Sequence, residues 1–509
     1  MKDLLGRLPL WCLLITLQLL LLIPYYTTWP ERFLQDEAYV VLGVRALLRG
    51  ELPYRDFYSY LAPGTYFQAL PWMTVAGTDQ FGTRSLMGLL AAAQGIAIWE
   101  LAAPLGRSWR WFAWLLWSCL GIFEIPILNY HWFSNFWFTL ATLAATSWVG
   151  GRARSGRLVG ACVALAGWSL QSEGLAGVLL LIGCGLLFRP ARQHEAWLSL
   201  LATSLVLWAP SLPWFSEIWQ QSVLSLRAHQ KWAHFPYTWN ELKPSWEAAR
   251  GSLLSGDPLG WSYAWTLFAV RAIKYGALPL LVLLGLVQAW RSQNRSFQVL
   301  ALATLVLCLC NFNRLTLHYL SYVLALAFPL WAYQLSALRG GSWLRNGLLG
   351  LTLAFWSLHA YLWQRDFRLP IPTRAGTYWT DSLYEQKLNS ILGRWSRICA
   401  DDPRGGLCQE YQPQLYSLWN IRVPIQEITL VPLQADLASV ERAAKRLDEQ
   451  QTPWIIYVPA HPGSIAEEHS QVTADQYAEA QGRIYRILTK NYQVVEQVDV
   501  LQLLRRRDP

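Results

Sequence analysis

Charge is scarce in this sequence. Of its 509 residues only 15% are Asp, Glu, Lys or Arg, against about 25% in ordinary soluble domains. That shortage excludes a soluble globular protein of ordinary composition. Hydrophobic residues make up 53%, mean hydropathy is +0.20, and several apolar runs reach the roughly 18–20 residues that cross a hydrocarbon core. No small-x-small cleavage site follows the first run, Leu8 to Tyr26. That run is long for a signal peptide, so a retained span is expected. Acids are almost missing from the short Arg-rich segments between runs, which hold thirteen Lys and Arg against Asp3 and Glu195. The net charge of +9 therefore reports orientation in a membrane and not a nucleic-acid patch. There is no internal repeat, no low-complexity tract, and no Cys/His spacing typical of zinc.

What is present is a polytopic pattern. Eleven spans are expected near 8–27, 83–104, 110–128, 132–149, 158–171, 174–188, 196–214, 262–289, 297–311, 318–338 and 346–364. With the N-terminus inside, GRSWR, GGRARSGR, FRPARQHE, WRSQNR and LRGGSWLR all fall on the cytoplasmic face. The opposite short turns, NYHW, QSEG and NFNRLTLH, hold a single Arg. The 30 Trp and 23 Tyr suit interfacial belts. Residues 1–364 then form a transmembrane module with outer loops at 28–82 and 215–261, and 365–509 an exterior α/β domain. In that tail TPWIIYVPA reads as a buried strand, Asp436 to Gln450 has helical spacing, and YRILTKNYQVVEQVDVLQLLRRR reads as a helix end followed by strands. Six of the eight Cys lie in expected spans. Only Cys399 and Cys408 lie in the tail, where CADDPRGGLC reads either as a disulfide loop in an oxidising compartment or as two free thiols.

The most informative stretch follows the first span: DEAYVVLGVRALLRGELPYRDFYSYLAPGTY, Asp36 to Tyr66. Asp36 reads as the N-cap of a helix over Ala38 to Arg49, with Gly50 as its stop. Its apolar circumference suits a helix lying at the interface against other spans. Ala62 to Trp72 forms a second short piece. Taken singly, Glu37 is a first-turn acid favouring the helix dipole and Asp56 is an Arg55 partner or a turn residue. Together they place three acids beside a membrane surface, with Tyr54, Arg55 and Tyr58 close in sequence.

This stretch resembles the first exoplasmic loop of the polyprenyl-phosphate-sugar-dependent glycosyltransferases of the GT-C fold, which include protein O-mannosyltransferases and the aminoarabinose transferases of lipid A. The shared pattern is an acidic pair after the first span, a small-residue helix, a Gly, then P-Y-R-D-F and a Pro-containing helix. Arg84 early in the second span also fits, as do the tail segments YSLWNIRVP and TPWIIYV. The resemblance covers about 60 residues by motif and the remainder by architecture. It implies that Asp36 is the catalytic acid of the loop, Glu37 its usual neighbour, and Glu124 in GIFEIPILNYHW the second acid.

Transfer from a lipid-phosphate sugar needs a base for the acceptor hydroxyl, which a carboxylate such as Asp36 supplies. It also needs cations or fixed donors for the departing phosphate. The candidates are Arg55, Arg84, Lys231, His229, Arg314 and His318. Tyr54, Asp56 and His131 complete the substrate-binding set, and Asn129 and Tyr130 lie beside His131. Each has a plain reading: Arg84 snorkels at a span end, His318 packs, and Lys231, His229 and His234 are solvated. Glu173, near a span end, is a further candidate, whereas Glu100 reads as structural. One base in a single displacement inverts the anomeric centre. No metal or cofactor is required, although Asp36, Glu37 and Glu124 offer oxygen ligands to a divalent cation. The expected partners are a polyprenyl-phosphate-linked sugar donor, the bilayer, and a glycan, lipid or protein acceptor. The expected site is a bacterial inner membrane with the tail periplasmic. The competing classes are a transporter or flippase for lipid-linked sugars, which should show repeats and midplane charges, and an assembly factor using the tail to bind.

Overall fold

In a computed structural model, the structure describes residues 2–26, 34–57, 59, 61–122, 127–219, 243, 246–247, 250–251, 258–272, 278–311, 317–366, 368–380, 383–400, 445, 449, 451–457, 482, 486–498 and 501–507. Most are helical. The first helix α1 is Lys2–Tyr26, and two short helices follow it, α2 (Leu34–Leu48) and α3 (Gly64–Ala76). A bundle follows: α4 (Gln80–Leu101), α5 (Arg107–Leu116), α6 (Tyr130–Val149), α7 (Ser155–Ser169), α8 (Gln171–Phe188), α9 (Gln193–Trp208) and a short α10 (Phe215–Ile218). It continues through α11 (Pro258–Ala272), α12 (Leu278–Arg291), α13 (Arg295–Cys310), α14 (Leu317–Ser336) and α15 (Gly341–Asp366). Among the described residues, Arg7–Tyr26, Gln80–Leu101, Gln171–Phe188 and Gln193–Ile218 are long and apolar enough to cross a bilayer. Val282–Arg291, Arg295–Cys310 and Val323–Ser336 are shorter apolar helices.

The helices depart from the sequence reading in three places. The run 262–289 is divided between α11 and α12. The run 110–128 is α5 followed by a π-helical turn, Trp117–Gly121. Finally, α2 begins at Leu34, so Asp36 lies within its first turn instead of capping it. The far end of α2 is as expected. Gly50 has φ +82°, Glu51 N donates to Ala46 O at 3.0 Å and Gly50 N to Leu47 O at 2.9 Å, the Schellman closure that a residue without Cβ permits.

Short Arg-bearing connections meet at one end of the bundle. Glu100 accepts from Arg7 at 2.8 Å and from Arg110 at 3.0 Å, as expected of a structural acid. The guanidinium of Arg345 lies 5.1 Å from the Trp109 ring centroid. Arg157 pairs with Glu195 at 3.0 Å, and Arg295 donates to Val149 O at 3.4 Å.

The other end carries α2, α3 and the tail. Val40, Val41 and Val44 of α2 enter the bundle core with Met73 of α3 and Met87 of α4. Tyr39, Leu42 and Ala46, on its other side, join a second core with Tyr66, Tyr130 and Leu170. The tail supplies Ile371, Tyr378, Trp395, Ile456 and Leu503 to that same core. Gly43 lets α3 close in, because a Cβ there would meet the Tyr66 ring at 2.2 Å. The apolar circumference of α2 packs against the bundle, as expected, and against the tail as well, and a helix buried on both sides is apolar all round.

In the tail, β1 (Leu369–Thr373) and β2 (Gly376–Thr380) form an antiparallel hairpin, with Ile371 opposite Tyr378. Helix α16 is Leu383–Ala400. A three-stranded antiparallel sheet has the order β3–β5–β4, with β3 Trp454–Tyr457, β4 Tyr492–Val498 and β5 Leu501–Arg506. Trp395 Nε1 of α16 donates to Glu496 of β4 at 2.9 Å. The strand expected in TPWIIYVPA and the helix end followed by strands near the C-terminus are both present. The helix expected over Asp436 to Gln450 lies largely outside the described residues.

Candidate functional site

The two adjacent acids of α2 have separate surroundings. Consecutive helical residues point about 100° apart, so only one of them faces the bundle. That one is Glu37, which is buried. Its Oε2 stands 2.9 Å from Arg84 Nε on α4, and the Arg84 side chain has no exposed surface. Leu128 N also donates to Glu37 Oε2, at 3.3 Å, and Arg84 Nη1 donates to Tyr25 O at 3.3 Å. Burial pushes the Glu37 carboxyl above its usual range, opposed by the Arg84 charge and the Leu128 N–H. Glu37 and Arg84 thus lock α2 to α4 and to the end of α1.

Asp36 is only partly buried. It has no hydrogen bond or ion pair to any described residue. Removal from water lifts its carboxyl to about 6, where a carboxylate both ionises near neutral pH and takes a proton readily.

Further charged groups and a phenol gather on the Glu37 side of α2. Arg45, two turns on from Glu37 in α2, donates from Nε to Thr78 Oγ1 at 3.0 Å and from Nη2 to Thr78 O at 3.2 Å. Burial brings its guanidinium down to about 10. Asp79 caps α4, accepting from Gly82 N at 2.9 Å. Tyr378 of β2 is buried within electrostatic reach of Glu37, Arg84, Arg45 and Asp79, and burial pushes its phenol up. The hairpin that carries Tyr378 is pinned to α4, since Gln80 N donates to Ala375 O at 2.8 Å. Behind Arg84, the Tyr25 ring lies 5.7 Å from that of His359 on α15, which has Arg271 of α11 as an electrostatic neighbour. Sequence reasoning missed Arg45, Tyr378, His359 and Arg271. Arg45 was visible as a cation on the motif helix itself; the other three are far from the motif in sequence.

The PYRDF segment folds on itself. Tyr54, at φ +70°, is buried and donates its hydroxyl to Leu61 O at 2.6 Å. Arg55 donates from Nε to Asp56 Oδ2 at 2.8 Å and lies 5.7 Å from the Trp214 ring centroid. Asp56 also accepts from Leu52 N at 2.8 Å; the Arg55 guanidinium first, and this N–H second, hold its carboxyl below the ordinary range. Of the three, Arg55 is the one that presents a charge outward.

A second buried pair sits at the same end. Asn129 caps α6, accepting from His131 N at 3.1 Å. Nδ1 of His131 then lies 3.7 Å from Glu173 Oε1 in the first turn of α8, both side chains being buried. Ser172 Oγ donates to the other Glu173 oxygen at 2.6 Å.

Glu124, Lys231 and Arg314 lie outside the described residues, as do His229 and His234. His318 is in α14, but its side chain is outside the described set. Cys399 is buried in α16, and Cys408, with any bridge to it, is outside the described residues. Among the described residues no three His, Cys, Asp or Glu groups stand together as metal ligands.

The architecture matches known membrane enzymes. ArnT from Cupriavidus metallidurans bound to undecaprenyl phosphate superposes with a TM-score of 0.58 at 12% identity, over 97% of this chain and 97% of that one. Its apo form gives 0.56 at 12% identity over 98% of each chain. The archaeal oligosaccharyltransferase AglB from Archaeoglobus fulgidus, in complex with an inhibitory peptide and a dolichol-phosphate, gives 0.50 at 11% identity, over 89% of this chain and 69% of that one. No protein-family model matches the chain, and no curated protein matches it in sequence. The chain therefore has the GT-C fold of these membrane glycosyltransferases, as the opening loop implied. Identity this low shows the fold and leaves the substrate to be argued from the site.

Proposed function

We propose that this chain is a membrane glycosyltransferase that moves a sugar from a polyprenyl-phosphate donor to an acceptor hydroxyl at the exoplasmic face. The observation that carries the reading is the division of labour on α2. Glu37 is consumed by Arg84, whereas Asp36 is left unpaired with its carboxyl lifted to about 6. Asp36 takes the proton of the acceptor hydroxyl as its oxygen attacks the anomeric carbon. The bond from that carbon to the phosphate oxygen breaks, and the lipid phosphate leaves with the electron pair. One displacement inverts the centre. The donor class is supported by the fold, whose neighbours were solved with undecaprenyl phosphate and with a dolichol-phosphate.

The departing phosphate needs positive charge in a site sheltered from water. Arg55, Lys231, His229, Arg314 and His318 are the candidates carried from the sequence, Arg84 being held by Glu37, and Arg271 of α11 is a further one. Glu124 is the second acid in this reading, and His131 a sugar contact. No step is routed through a metal. Residues 1–364 form the catalytic module and 365–509 an exoplasmic domain whose hairpin closes over α2. The arginine-rich end faces the cytoplasm of a bacterial inner membrane.

The test is transfer in vitro from a panel of labelled polyprenyl-phosphate sugars. Wild type transfers from at least one donor, and the Asp36→Asn protein, correctly folded, does not. Movement of lipid-linked sugar across vesicles with no transfer from any donor would favour the transporter class.

A further inference from the structure

The arginine-rich end of the bundle, opposite Asp36, holds two grooves that the transfer reaction does not use. They flank helix α12. The first, about 490 Å³, is walled by Leu187 and Phe188 of α8, Trp290 of α12 and Leu302 of α13. The second, also about 490 Å³, lies between α12 and α14, walled by Leu284, Gln288, Trp331 and Leu335. Each is in the size range of small-molecule sites, and each is overwhelmingly apolar. Val287 and Arg291 are common to both. They are four residues apart, one above the other on the same helical face, so they form the ridge between the grooves.

Arg291 tops that ridge where α12 ends. It is exposed and has no carboxylate partner among the described residues. Four other arginines at this end are engaged with acids: Arg7 and Arg110 with Glu100, Arg157 and Arg192 with Glu195. Trp290, 71% exposed beside Arg291, is the residue type that settles at the headgroup level of a bilayer.

We infer that the grooves on either side of α12 hold the two acyl chains of one anionic glycerophospholipid, whose phosphate sits on Arg291. The reasons are geometric and electrostatic. Two apolar channels converge on one cation, which matches two chains joined at one charged headgroup. A single-chain amphiphile fills one channel and leaves the other open. An arginine at this depth extends its charge toward the headgroups, where an anionic lipid meets it directly. The bound lipid fills the space on both sides of α12 and ties that helix to α8, α13 and α14.

The experiment uses the full chain in mild detergent with equal amounts of phosphatidylglycerol and phosphatidylcholine, read by native mass spectrometry. No sugar donor is present, so the outcome is independent of the transfer reaction. Wild type retains one phosphatidylglycerol under activation that strips phosphatidylcholine. Arg291→Gln lowers that retention about fivefold, the effect of one basic residue near an anionic surface. Val287→Trp, at a position 51% exposed and so tolerant of a larger side chain, keeps the charge but obstructs the ridge where the grooves meet, and it lowers retention as well. Equal retention of the two lipids by wild type, or unchanged retention in either variant, overturns the assignment. So does lysophosphatidylglycerol held as firmly as the two-chain lipid.

Discussion

Glu37 Oε2 and Arg84 Nε stand 2.9 Å apart with almost no exposed surface between them. The contact joins α2, which carries the candidate base, to α4. Neither charge is cheap to bury alone, so the pair commits α2 to one position against the bundle. That commitment leaves Asp36 unpaired at a fixed place.

The energetics of that pair are testable without a substrate. Removing one partner from a buried ion pair costs about 3–5 kcal/mol. Arg84→Leu and Glu37→Leu should each lower thermal stability of the purified protein by that order. The double variant Glu37→Leu, Arg84→Leu should be markedly less destabilised than the sum, because no lone charge remains buried. Additive losses in a double-mutant cycle would show that the two side chains are not coupled.

The hairpin of the tail offers a second test. Gly376 has φ +135°, and a Cβ there would meet Gln80 Oε1 at 2.5 Å. Gly376→Val should therefore strain the turn and lift the hairpin from α4. Limited proteolysis near residue 374 should become faster, and transfer should fall with it. Unchanged cleavage and activity would mean that the hairpin does not rest on the site in solution.

Gly50 makes a smaller, cleaner prediction. Its positive φ closes the end of α2, and an L side chain there is strained. Gly50→Ala should cost about 1 kcal/mol of stability, read by thermal unfolding. It should leave the catalytic groups in place, since nothing lies within 4 Å of an added Cβ.

These residues also show what the sequence could and could not disclose. The Arg-bearing connections were legible because their charge contrasts with the apolar runs beside them. The Schellman closure at Gly50 was legible because the signal is local. The separate roles of Asp36 and Glu37 were not, since they depend on which face of α2 meets Arg84, 47 positions away. Asp36 looked like a cap because the helix turn before it, from Leu34, carries no start signal. The hairpin was hidden by Pro370 and Pro372. Proline argues against a strand, yet here the two lie on β1 of a two-stranded hairpin. Being two residues apart, they place both missing N–H groups on its outer edge, where no ladder bond is lost. Tyr378 was hidden with it.

The central claim is that Asp36 receives the acceptor proton, and the pH dependence of single-turnover transfer tests it most directly. A base must be ionised, and burial has lifted the Asp36 carboxyl to about 6. The rate should therefore be flat above that value and fall as pH drops through it, reaching roughly a tenth by one unit below. Asp36→Asn should abolish transfer, and Asp36→Glu should restore a measurable fraction with the acid limb retained. A rate independent of pH between 5 and 7, or full transfer by a folded Asp36→Asn protein, would contradict the account.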